Sequence, residues 1–138
     1  MSVQDQREEA MRQVRAVYED GEAEVNGRKY TFHKMQHMER RKVFAFYSSV
    51  QKLMQVQDFS FLDTPQFAAT EAVMWGAISI DGELLSKKRD HWEEYPEDYL
   101  NLVMVSMGVI SYPFIRASGI ASASQAVKPR KTTSSKPM

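Results

Sequence analysis

Two histidines stand four residues apart, at His33 and His37, the spacing at which imidazoles on one helical face can hold a metal ion. A third ligand is missing. There is no HExxH pattern, no cysteine, and one other histidine, His91. His33 also falls at a strand end rather than on a helix face, so hydrogen-bonded or solvated histidines are expected, and no metal. Carboxylates gather at Glu93-Glu94 and Glu97-Asp98. General acid–base work needs one carboxyl in an apolar pocket with a displaced pKa. These acids instead crowd a helix start near Lys87, Lys88 and Arg89, which predicts capping and surface ion pairs. No GxSxG, phosphate-loop, GxGxxG or serine–histidine–aspartate pattern is present. The expectation is a non-enzymatic protein without a cofactor.

Basic residues offer a different chemistry. Arg40-Arg41-Lys42 and Lys87-Lys88-Arg89 each have acids close by, and the first triplet lies opposite the apolar stripe of its helix, so both read as solvated faces. The 138 residues balance at zero formal charge, with 18 basic and 18 acidic side chains. That balance commits the chain neither to nucleic acid nor to an anionic membrane. The distribution is uneven, because no acid follows Asp98 while Arg116, Lys128, Arg130, Lys131 and Lys136 do. From Ser122 onward there is little apolar matter to offset ordering entropy, so 122–138 is expected to be a disordered basic tail. The tail is the better candidate for loose phosphate contacts, but nucleic-acid binding is not the expected function. The polar, acidic start MSVQDQREEAM has no apolar secretory core. The missing cysteines exclude a disulfide framework and suit a reducing compartment.

These residues must be placed by local structure. Val3, Ala10, Val14 and Val17-Tyr18 recur at helical steps over 3–19, a thin stripe that predicts weak docking of an N-terminal helix over 1–20. The remaining hairpin-plus-helices unit is expected over 21–121. Asn26-Gly27 suits both left-handed positions of a type I′ turn, so 22–32 should form a β-hairpin with Val25 opposite Arg28 and Ala23 opposite Tyr30. Ala23, Val25, Tyr30 and Phe32 then share one face, which must lie across helices or against a second copy, because a lone hairpin is marginal in water. A second helix is expected over 38–56. A third should start at Thr64-Pro65, as N-cap and first helical proline, and run to about Ile80, where Asp81-Gly82 breaks it. Residues 84–95 read as a short charged helix holding Trp92, and Tyr95-Pro96 opens a last helix uncharged from Tyr99 to Ile115. Seventeen residues fall just short of a bilayer, and Pro113 and Arg116 cut the run, so a buried core helix kinked at Pro113 is expected rather than a membrane span. The fold class is α+β, mainly α, with four to five helices and one N-terminal hairpin.

Seven internal methionines, fifteen aromatic residues and the Tyr112-Pro113-Phe114-Ile115 segment give more apolar matter than a small helical domain easily hides. A protein that holds another hydrophobic segment has this make-up. The candidate partner-binding residues are Tyr30, Phe32, Trp92, Met107, Tyr112, Phe114 and Ile115. Closure of the core by Tyr112, Phe114 and Ile115 is the competing reading.

A hairpin of the type EAEVNGRKYTFHKM leads into a helical remainder, GELLSKKRDHWEEYPEDYLNLV runs into SMGVISYPFIRASG, and a short basic tail follows. Over roughly 20–120 this layout resembles the tail assembly chaperones of long-tailed bacteriophages. The resemblance implies a protein that binds the long helical tape measure protein, keeps it soluble in the host cytoplasm and helps recruit tail tube subunits. It also implies departure before the virion matures, and in some members a longer frameshifted form. No individual binding residue is carried over. The alternatives are a structural virion or adaptor protein that self-associates through its hairpin, and a small nucleic-acid-binding regulator.

Overall fold

Asn26 (φ 50°) and Gly27 (φ 83°) both occupy the left-handed region, and the chain reverses there as a two-residue hairpin. The computed structural model describes residues 3–118. Its strands β1 (Glu22–Val25) and β2 (Arg28–Phe32) pair in the expected register, Ala23 opposite Tyr30 and Val25 opposite Arg28. Ala23, Val25 and Tyr30 are buried on the helices and Phe32 is half-buried, so the apolar face lies across this chain's own bundle.

The described residues form five α-helices: α1 (Val3–Asp20), α2 (His37–Gln55), α3 (Pro65–Trp75), the single turn α4 (His91–Glu94) and α5 (Tyr99–Ser118). The fold is α+β and mainly helical. Gly21, at φ 74°, stops α1, its N–H bonding the Val17 carbonyl. Thr64 caps α3 by accepting from the Phe67 N–H at 3.2 Å, with Pro65 in the first helical position. The 58–63 connection contains a short 3₁₀ turn that buries Phe61.

The third helix does not reach Ile80. It ends at Trp75, and Ile78–Ile80 forms a strand, β3, that pairs antiparallel with β2, Phe32 facing Ile78. Asp81 (φ 55°) and Gly82 (φ 81°) then make a second left-handed two-residue turn into the short strand β4 (Glu83–Leu84). The sheet therefore has four strands in the order β1-β2-β3-β4. The apolar run before Asp81 is compatible with a helix as well as a strand. Pairing won because Ile78 and Ile80 are β-branched and the open edge of β2 offers backbone partners. The short charged helix expected over 84–95 is also replaced, by β4, a 3₁₀ turn at Leu85–Lys87 and α4.

Helix α5 packs on both α1 and α2, and its buried residues Leu102, Val103, Met107 and Ile110 centre the core. The thin stripe of α1 docks where α5 has no side chain: a Cβ on Gly108 would stand 3.0 Å from a Val14 methyl. Pro113 lies inside α5 and cannot donate to the Val109 carbonyl. In that opened turn the neighbouring Ile110 carbonyl accepts from Arg40 Nη1 of α2 at 2.8 Å. The stretch Pro96–Ala117 is long and apolar enough to cross a bilayer, yet half of it is buried inside this fold. The basic tail expected over 122–138 lies outside the described residues.

Candidate functional site

Two polar or aromatic constellations emerge, one sealed and one open. The sealed one centres on Asp98, which has no exposed surface. Its carboxylate accepts from Arg28 Nε at 2.6 Å and Nη2 at 2.9 Å, from Asn26 Nδ2 at 2.7 Å and from the Tyr30 hydroxyl at 2.6 Å. Bonding to Arg28 holds the carboxyl well below the ordinary aspartate range, against the opposing effect of burial; Tyr30 and Asn26 add to the lowering. Burial and the adjacent carboxylate push the Tyr30 phenol up.

Tyr30 has one hydroxyl hydrogen, and it goes to Asp98. The 2.9 Å contact between Tyr30 and His91 therefore requires His91 Nε2 to donate, which leaves the buried Nδ1 as an acceptor with no hydrogen-bond partner among the described residues. Desolvation, reinforced by Lys88, lowers the His91 pKa and keeps the ring neutral. The cluster ties the hairpin turn to the start of α5, and Arg28 also stacks 4.0 Å over the Tyr95 ring. The expectation that the Glu97-Asp98 acids make surface ion pairs holds for Glu97, which meets Arg28 Nη2 at 2.7 Å. It fails for Asp98, because the hairpin folds over it. The signal available in the sequence was Asn26-Gly27-Arg28, two donors on one tight turn.

The open constellation is a groove of about 360 Å³ where the end of α1, the exit of β2, the start of α2 and the middle of α5 meet. Phe32, Met35, Ala77, Val109 and Ile110 give it apolar walls; Glu19, Lys34 and Arg40 stand among them. Glu19 is already paired with Arg15 at 3.1 Å, whereas Lys34 makes no ion pair among the described residues. Tyr18 lines the groove and packs on Tyr112 with ring centroids 5.1 Å apart; the Arg116 guanidinium lies over both rings. One turn along α5 from Ile110, Phe114 stacks on Phe44 at 5.1 Å and meets His37 edge-on at 5.8 Å.

Of the candidate partner-binding residues, Phe32 lines this groove, Tyr112 packs on its lining residue Tyr18, and Phe114 stands one turn along α5 from Ile110; all three are half-buried. Tyr30, Met107 and Ile115 do not: they are core residues, at most 2% exposed. Trp92 lies apart, half-buried against Trp75 and Tyr99, where Glu71 accepts from the Trp75 indole and the Tyr99 hydroxyl. Lys34, Met35, Arg40 and Tyr18 carry no local signal of a shared site, because they come from three separate stretches of the chain. His33 and His37 are not brought together; His33 Nε2 pairs with Ser79 Oγ at 2.7 Å while His37 faces Phe114. Among the described residues, no group of three or more histidine, cysteine or acidic side chains could hold a metal ion. Against known proteins, no family model, no curated sequence and no solved structure matches this chain.

Proposed function

We propose that this chain is a non-enzymatic tail assembly chaperone of a long-tailed bacteriophage. It holds an amphipathic helical segment of the tape measure protein, keeps it soluble in the host cytoplasm, and releases it as tail tube subunits assemble. One observation carries the reading: half-buried Phe32 joins Met35, Ala77, Val109 and Ile110 in a half-open apolar groove, and the stacked, half-buried Phe44–Phe114 pair stands one helical turn along α5 from it. Shallow apolar seats of this kind suit helix-in-groove recognition, with anchors three and four residues apart. Incomplete burial suits an affinity that must later be reversed.

Self-association through the hairpin, as in a structural virion protein, has less support. The outer edge of β2 is filled by β3. The remaining β1 edge carries exposed Glu22 and Glu24, which would repel the same strand of a second copy.

The test is co-expression with the tape measure protein of the parent phage. The client should stay soluble and co-purify with this chain, and purified virions should lack the chain by mass spectrometry. A tape measure protein whose solubility is indifferent to the chain, or stoichiometric chain in mature particles, overturns the proposal.

A further inference from the structure

The groove also has a polarity, and we infer that its occupant is an acidic amphipathic helix: one that places two bulky apolar side chains at i and i+4 and flanks them with carboxylates. This inference rests on the chaperone reading for its biological client but on the groove alone for its chemistry. The spacing comes from α5. Ile110 walls the groove, and Phe114, stacked on Phe44, stands one turn further on. Four residues of helix rise about 6 Å, so a helix lying along α5 sets one anchor in the groove and the next against the Phe44–Phe114 pair. The groove volume is at the lower end for a small-ligand site and accepts an anchoring side chain rather than a whole helix.

The charge preference comes from what surrounds the anchors. Lys34 and Arg40 stand at the groove, and Arg116 lies over the adjoining Tyr18–Tyr112 pair. The acid present, Glu19, is neutralised by Arg15. Among the residues that line the groove, basic flanks would meet Lys34 and Arg40 and a carboxylate already paired, whereas acidic flanks find complementary partners. Lys34 is exposed, so its contribution is modest and salt-sensitive.

Two synthetic 18-residue helical peptides decide the matter, sharing one apolar stripe with phenylalanine at i and i+4 and differing only in glutamate or lysine flanks. Titrated by calorimetry into the full chain at low salt, the acidic peptide should bind roughly tenfold tighter or better. Amide shifts should map to Phe32, Lys34, Met35 and Val109. Lys34→Glu should reduce that preference about fivefold without altering the melting temperature, and about 0.5 M salt should compress it. Equal affinity for the two peptides, no binding of either, or a shift map centred on Trp92 overturns the inference. A tape measure segment that binds wild type and Lys34→Glu alike defeats this inference and leaves the chaperone reading standing. Acidic-peptide binding in the groove with no tape measure segment bound does the reverse.

Discussion

Substituting Asp98 tests whether the buried cluster latches the hairpin to the bundle. Asp98→Asn keeps the shape but replaces a carboxylate that accepts four hydrogen bonds with a neutral amide, facing a guanidinium, an amide and a phenol that all donate to it. Breaking a buried ion pair by removing one partner costs about 3–5 kcal/mol. The Arg28 side chain is 26% exposed, so water partly compensates it and the lower end, about 3 kcal/mol, applies. For a domain of this size that lowers the melting temperature by about 10–15 °C. Urea unfolding followed by tryptophan fluorescence reads the loss. A double-mutant cycle with Arg28→Met isolates the pair, and its coupling energy should exceed about 1.5 kcal/mol. Acid titration supplies a second readout. Asp98 is depressed in the folded chain, so its stabilisation is present above the ordinary aspartate value and disappears as pH falls through the depressed folded value. Asp98→Asn should therefore flatten the loss of stability below about pH 4. A variant within about 0.5 kcal/mol of wild type with unchanged acid sensitivity would refute the latch.

Three further outcomes are expected. His91 is depressed and neutral when folded, so its contribution is complete above the ordinary histidine value of about 6.5 and is lost on acidification through the lower folded value. His91→Gln, whose amide can replace the Nε2 donor to Tyr30, should flatten the loss of stability on acidification below about pH 6.5; an unchanged profile would assign that dependence elsewhere. Ile115→Ala should cost about 2–4 kcal/mol in chemical denaturation, whereas Phe114→Ala, half-exposed, should cost about 1–2 kcal/mol and weaken capture of the helical client about tenfold. Comparable stability losses with normal capture would place Phe114 in the core. Gly108→Leu should drive a side chain into Val14, destabilise by about 1–3 kcal/mol and release α1 first, seen as faster amide exchange over 3–20 than in α2.

Local chemistry was legible in the sequence wherever neighbouring residues settle it. Asn26-Gly27 determined a turn, and the turn determined a register, because a one-residue slip would expose Tyr30. Thr64-Pro65 marked the start of α3, and the uncharged stretch after Asp98 marked a core helix, through backbone and solvation effects that act within a few residues. The third helix failed past Trp75 because Gly76–Ile80 had two acceptable local answers, and a distant strand edge chose between them. Asp98 read as a surface acid because Arg28 is seventy residues away in sequence and adjacent only after folding. The same distinction governs the groove. Phe32, Tyr112 and Phe114 could be singled out as apolar residues in need of partners. Which apolar side chains stay half-buried at the surface, and which of their companions vanish into the core, was decided when the helices and the sheet packed together. That choice depends on contacts between residues far apart in sequence, and no window of sequence contains them.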